Sequence, residues 1–150
     1  MTLIPKKVYD AMIDHAKKGY PNEACGILAG PSRNTGTSAI KASADADESV
    51  VSDFFPMTNM DNASISYFMD PKEQLAVFKQ MRELGLEMSG IFHSHVASEA
   101  TPSQKDVRLA FYPEVSYLIV SLSDMKKPVL RSFKIKDEKV VEEEIKILDT

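Results

Sequence analysis

The segment from Val115 to Leu122 places the strongest constraint on how this 150-residue chain can fold. It is apolar almost throughout and too short for a helix of typical length. A strand with apolar side chains on both faces must be covered on both faces, as happens where helices pack on either side of a sheet. The segment therefore predicts a central strand of a layered α/β domain.

Helices are predicted over residues 4–18, from Asp70 to Gly85, and from Ser103 to about Phe111. The second has the clearest start, because a capping aspartate is followed by proline and glutamate. The residues expected on the apolar faces are Ile4, Val8, Met12 and either His15 or Ala16 in the first helix, Leu75, Phe78 and Met81 in the second, and Val107 and Ala110 in the third. His15 is otherwise interpreted as an ordinary residue of a helix face.

Further strands are predicted at Cys25–Gly30, 37–44, Val50–Phe55, Glu87–His95, Val129–Ile135 and Val140–Leu148. Residues 31–36, 45–48 and 57–67 are predicted loops, and the last either borders a substrate groove or is a plain connector. The length fits one domain over residues 1–150, and no linker or repeat divides it.

Composition narrows the class of protein. A net charge of −4 without a basic cluster argues against nucleic-acid binding. No apolar run approaches the roughly 20 residues of a membrane helix. The single cysteine, Cys25, excludes an internal disulfide, so a reducing cytoplasm is the expected location. Because apolar residues follow it, Cys25 is interpreted as a buried packing residue and not as a nucleophile.

Two of the three histidines, His93 and His95, lie one residue apart near the end of a predicted strand. Alternation along a strand places both imidazoles on one face and Ser94 on the other. Ser103 and Asp106 follow at the start of the third helix. Two histidines and an aspartate with one open position are typical of a catalytic zinc site. The same Ser103 and Asp106 also form a capping box, which would explain them without any metal.

This segment resembles the zinc signature of the JAMM metalloprotease family, also called MPN+ or JAB1/MPN/Mov34: His93-Ser94-His95, seven intervening residues, Ser103, two more, and Asp106. The resemblance extends over nearly the whole chain, through Pro21–Gly30, Phe55–Asn59, Met69–Pro71 and Val115–Ser121, and is greatest to the short prokaryotic members. In one departure from the family pattern, Val96 stands where proline usually follows the second histidine.

The resemblance implies a mixed, curved sheet flanked by about three helices, and one Zn²⁺ per chain on His93, His95 and Asp106. It implies that Glu23 is the general base, which without the resemblance would be interpreted as a surface carboxylate. It also implies that Ser103 donates a hydrogen bond to the oxyanion.

The implied reaction is hydrolysis of a peptide or isopeptide bond after the C-terminal Gly-Gly of a ubiquitin-like or sulfur-carrier protein. Such a tail could bind as an added strand beside the metal-bearing strand.

Two other functions fit the sequence less well. A zinc nucleobase deaminase requires a pair of cysteines, and this chain has one. A non-catalytic scaffold of the same fold predicts a broken motif, whereas all five motif residues are present. The sequence leaves the oligomeric state and the identity of the carrier protein open.

Overall fold

The computed structural model describes residues 1–31 and 48–149, and within them the chain forms nine strands and three helices. The strands are β1 (Thr2–Pro5), β2 (Cys25–Pro31), β3 (Ser49–Val50), β4 (Asp53–Met57), β5 (Leu86–His95), β6 (Ser116–Ser121), β7 (Val129–Lys136), β8 (Lys139–Glu143) and β9 (Ile145–Leu148). The helices are α1 (Lys6–Gly19), α2 (Pro71–Glu83) and α3 (Gln104–Arg108). Apart from Pro31 and Glu48, the predicted loops at 31–36 and 45–48 and the predicted strand at 37–44 lie outside the described residues.

The main sheet has six strands in the order β4-β2-β5-β6-β7-β8. It is mixed, because β5 and β6 are parallel while the other neighbouring pairs are antiparallel. β5 has β2 on one side and β6 on the other as far as the histidine pair. The expectation that a substrate tail adds a strand beside β5 is therefore wrong, since both edges of β5 are already hydrogen-bonded.

Helices cover both faces of the main sheet, as the apolar β6 required. Val8, Met12 and Ala16 of α1 pack against Phe92 and Leu118 on one face. On the other face, Met81 of α2 packs against residues of β2 and β4, and Val107 of α3 packs against residues of β6 and β7. The predicted α/β class with three helices is confirmed.

The helix boundaries follow their sequence signals. Asp70 caps α2 by accepting a hydrogen bond from the backbone N–H of Lys72 at 2.9 Å. Gly85 takes a φ of +69°, a conformation that costs glycine little, just after the end of that helix. The apolar face predicted for α2 is wrong at Leu75, which is 71% exposed. Helix α3 ends at Arg108, earlier than the predicted Phe111.

A second sheet in the order β3-β1-β9 was missed in part by the sequence predictions. The segment predicted as one strand at Val140–Leu148 is two strands, and the first pairs with β7 while the second runs parallel to β1. The segment predicted at Val50–Phe55 is likewise divided between β3 and β4. A four-residue strand such as β1 has too little pattern to be separated from the helix that follows it.

A buried cluster of hydroxyl groups joins the two sheets. Thr2 Oγ1 lies 3.3 Å from Ser116 Oγ and 3.2 Å from Ser132 Oγ. Both serines donate to Glu143 Oε2, at 2.8 and 3.1 Å. A carboxylate accepts two hydrogen bonds here, so these buried polar groups stabilise the contact between β1 and the main sheet.

Among the described helices, none combines the length and the apolar character that crossing a membrane requires.

Candidate metal centre

Strand β5 and helix α3 bring two histidines and an aspartate together. His93 Nε2 and His95 Nε2 lie 3.1 Å apart, and Asp106 Oδ2 lies 3.2 Å from the first and 3.1 Å from the second. Both imidazoles are buried, as expected for the inward face of a central strand. The sequence-predicted ligand set therefore converges on one point.

A backbone carbonyl fixes the orientation of the His95 ring, with Nε2 facing Asp106. His95 Nδ1 lies 2.8 Å from the carbonyl oxygen of Glu99, which can only accept a hydrogen bond. Nδ1 therefore carries the proton, and in the neutral ring Nε2 directs a lone pair at the carboxylate oxygen. Two acceptor atoms at 3.1 Å repel each other unless a proton or a metal cation lies between them.

The donor set fits a zinc ion. Zinc bonds to histidine nitrogen and carboxylate oxygen are about 2.0–2.2 Å long, which places ligand atoms about 3.3–3.5 Å apart in a tetrahedron. The observed separations of 3.1 to 3.2 Å need only a small expansion. His93, His95 and Asp106 form a group of side chains that could hold a metal ion. Three protein donors leave one tetrahedral position, as in catalytic sites.

The charges in this group follow from the same contacts. Burial lowers the pKa of His93, which favours the neutral ring that a metal requires. Burial also opposes ionisation of His95 and Asp106, but the hydrogen bonds and charges of their neighbours together outweigh it, so the pKa of His95 is raised and that of Asp106 is held well below its usual range. Asp106 is therefore a carboxylate at neutral pH.

Capping and metal binding, which the sequence presented as alternatives, would both use the same oxygen of Asp106. Asp106 Oδ2 accepts a hydrogen bond from the backbone N–H of Ser103 at 2.9 Å, and Ser103 Oγ accepts from the N–H of Asp106 at 3.0 Å. This capping box holds Oδ2 facing the histidines. Ser103 is exposed. Because its oxygen accepts a hydrogen bond from the Asp106 N–H, its hydroxyl hydrogen can be donated to a different group.

Glu23 lies next to this group and is only 7% exposed. Burial raises the pKa of Glu23 to about 7, with an opposing contribution from His95. A carboxyl group with this pKa can accept and release a proton at neutral pH. The surface-carboxylate alternative for Glu23 does not fit this burial.

Two side chains that the sequence did not indicate hold the Glu23 segment. Ser94, on the opposite face of β5 from the histidines, accepts a hydrogen bond from the Ala24 N–H at 2.8 Å, and its own N–H donates to the Ala24 carbonyl at 2.9 Å. The Asn59 amide donates to the Glu23 carbonyl at 2.9 Å. Only the alternation of β5 singled out Ser94, and no local pattern links Asn59 to Glu23.

The remaining candidate residues play no direct part. Cys25 is fully buried, and burial raises the pKa of its thiol to about 12, so it is the packing residue that the sequence predicted. The ring of His15 donates from Nε2 to the Cys25 carbonyl at 2.9 Å and contacts Phe54 edge-on. Its predicted role as an ordinary helix-face residue is consistent with these contacts.

A narrow cleft of about 10 Å³ opens beside Asp106. It is lined by Ile65, Ser66, Tyr67, Lys105, Asp106 and Leu109. The loop at residues 57–67 therefore borders the site and is more than a connector.

Comparison with known proteins identifies the family. Residues 5–136 match the family model described as prokaryotic homologs of the JAB domain. The CysO-cysteine peptidase of Mycobacterium tuberculosis (strain H37Rv) is 36% identical over 147 residues, which cover 98% of this chain and 91% of that protein. The desampylase of Haloferax volcanii is 30% identical over 117 residues, which cover 75% and 74%. The chain therefore belongs to the prokaryotic JAB family and is a JAMM-type hydrolase.

Solved structures agree with the fold. A solution structure of a protein from Desulfitobacterium hafniense has a TM-score of 0.84 at 43% identity and covers 100% of this chain and 94% of that one. A JAB1/MPN domain protein from Archaeoglobus fulgidus has a TM-score of 0.59 at 17% identity and covers 99% and 100%. The second likeness supports the fold alone.

Proposed function

We propose that this chain, as a single domain over residues 1–150, is a zinc-dependent peptidase. It hydrolyses the peptide or isopeptide bond after the C-terminal Gly-Gly of a small ubiquitin-like or sulfur-carrier protein in the cytoplasm. The observation that carries the proposal is the convergence of His93, His95 and Asp106 within 3.2 Å, beside a buried Glu23. The CysO-cysteine peptidase and desampylase relatives support the substrate class.

Each residue has a distinct part in the proposed reaction. His93, His95 and Asp106 would hold one zinc ion. A zinc ion held there would lower the pKa of water towards about 7 and so would supply hydroxide at neutral pH. Glu23 takes the proton of the attacking water and later delivers it to the leaving amine. The Ser103 hydroxyl donates a hydrogen bond to the substrate carbonyl oxygen as that oxygen gains negative charge.

The cleft beside Asp106 is narrow, since its free space of about 10 Å³ is close to the minimum for a single water molecule. It has no room for a bulky side chain next to Asp106, which is consistent with a tail that ends in glycine. Because β5 offers no free edge, the tail would approach the site from the end of the sheet.

The metal is tested by elemental analysis of protein purified without chelator. We expect about one zinc per chain in the wild type, and none after His93→Ala or Asp106→Ala, because each removes one of three ligands. His15→Ala is the matched control, since it removes a histidine outside the group. Full zinc content in both ligand variants would rule out this site.

The substrate class is tested with carrier proteins fused through Gly-Gly or Ala-Ala to an added peptide, and products are read by intact mass. The zinc-loaded wild type should cut only after Gly-Gly. Equal cutting of both tails would refute the specificity. A zinc-loaded protein that cuts none of the carriers would favour the alternative, a non-catalytic scaffold of the same fold.

A further inference from the structure

The two imidazoles of the metal group are oriented by different means. His95 is fixed by the hydrogen bond from Nδ1 to the Glu99 carbonyl. Among the described residues, His93 Nδ1 is buried without a hydrogen-bond partner. A histidine that binds a metal ordinarily donates its second ring N–H to a neighbouring acceptor, which sets the angle of the ring. Something else must therefore hold the ring of His93.

The ring of Tyr67 lies against the ring of His93. Their centroids are 4.6 Å apart and their planes differ by 25°, which is a stacked arrangement. Such a contact restricts rotation of the imidazole about its side-chain bonds, because turning the ring would drive it into the tyrosine.

Tyr67 is itself held on both sides. The side chain of Asn59 makes both contacts. Its Nδ2 donates to the backbone carbonyl of Ser66 at 3.0 Å, and its Oδ1 accepts from the backbone N–H of Phe68 at 3.0 Å. The Tyr67 ring also packs against the buried cluster that includes Cys25. The loop therefore presents the ring in one defined position.

We propose that Tyr67 is a positioning residue that orients the His93 imidazole by stacking, in place of the hydrogen bond that His93 Nδ1 lacks. This inference rests on the proposed zinc site, since orientation of the ring matters most for a ligand. It extends the active centre to the loop between β4 and α2, which the family motif does not include.

The test compares variants that keep or remove the ring. Tyr67→Phe keeps the stack and removes the hydroxyl. Tyr67→Leu removes the stack, and Tyr67→Met replaces the ring with a flexible side chain of similar length should the leucine variant not fold. Tyr9→Leu is the matched control, because Tyr9 is a partly buried tyrosine that packs against a different cluster. Zinc affinity is measured by competition with a chromophoric chelator, and imidazole ¹⁵N shifts are recorded with and without zinc.

We expect zinc affinity to fall about tenfold in Tyr67→Leu and Tyr67→Met, the lower end of losses seen when outer partners of metal ligands are removed. Tyr67→Phe should stay within about twofold of the wild type, and Tyr9→Leu should be unchanged. In the leucine variant, the His93 signals should broaden or split while those of His95 do not.

Wild-type affinity in Tyr67→Leu would overturn the inference, and so would an equal loss in Tyr67→Phe, which would assign the effect to the hydroxyl. A wild type that binds no zinc would refute the proposed site instead. The stacking would then be judged on the metal-free protein, where unchanged His93 signals in Tyr67→Leu would refute it.

Discussion

Replacing Glu23 with glutamine should make the metal-free protein more stable at alkaline pH while it abolishes turnover. Burial raises the pKa of Glu23 from 4.5 to about 7. Each pKa unit corresponds to about 1.4 kcal/mol, so keeping this carboxylate ionised in the folded state costs about 3 kcal/mol at pH 8. Glutamine carries no charge, but burying its amide costs about 1 kcal/mol. We therefore expect the substitution to raise the free energy of unfolding by about 2 kcal/mol at pH 8.

The sign of the pH dependence follows from the raised pKa. The favourable contribution of protonated Glu23 is fully present below pH 4.5 and is lost as the pH rises through about 7. Glu23→Gln cannot lose it. The variant should therefore be less stable than the wild type by up to about 1 kcal/mol near pH 4.5, where only the cost of burying its amide counts. At pH 8 it should exceed the wild type by roughly 4 to 8 °C in melting temperature, at about 2 to 4 °C per kcal/mol.

The assay is thermal unfolding in the presence of a chelator at both pH values. Glu142→Gln, an exposed glutamate on β8, is the control and should melt as the wild type does. Adding zinc should reduce the advantage of Glu23→Gln, because a nearby cation favours the ionised carboxylate. A gain of equal size at both pH values, or none at pH 8, would contradict the burial argument, and full turnover with zinc bound would contradict the role of Glu23 as base.

Three further variants distinguish effects on catalysis from effects on stability. Ser103→Ala should keep its zinc but lower kcat about 10²- to 10³-fold, because it removes an oxyanion donor, and lower stability by about 1 kcal/mol, because it removes a helix cap. An unchanged kcat would show that Ser103 serves only as a cap. Ser94→Ala should lower the free energy of unfolding by about 1 to 3 kcal/mol and lower kcat at constant zinc content, because it leaves the Ala24 N–H unpaired beside Glu23. A loss of stability with unchanged kcat would contradict the proposed support of Glu23. Glu143→Leu should destabilise the fold by about 3 kcal/mol in denaturant titration without altering kcat, because it removes the carboxylate that accepts from two buried hydroxyls at the opposite end of β6 from the histidines. A kcat loss in folded protein would contradict this prediction.

Sequence reasoning succeeded where one local pattern determines one local structure. The cap at Asp70, the glycine at 85 and the alternation that puts His93 and His95 on one face are such cases. It also anticipated the capping box of Asp106, and the structure adds that the capping oxygen, Oδ2, is the one that faces the histidines.

The sequence could not predict features that depend on distant partners. Nothing near Asn59 indicates that its amide reaches Glu23, and nothing near Tyr67 indicates that its ring covers His93. The expectation that a substrate tail adds a strand beside β5 was wrong for the same reason, because strand order is decided by pairing between segments far apart in the chain. Leu75 was misplaced because helical spacing gives the apolar stripe but not how much of it the sheet covers.

The pairing of β1 with β9 has a consequence for how the chain folds as it is synthesised. Thr2 to Pro5 bond on one side to Ile145 to Leu148, so these partners are separated by nearly the whole sequence. Until β9 leaves the ribosome, one edge of β1 has no partner and can template pairing with another chain. The residues proposed for catalysis all lie between positions 23 and 106, so the centre can assemble on a nascent chain before that edge is closed. We therefore expect truncations that remove β9 to retain zinc binding but to aggregate on release.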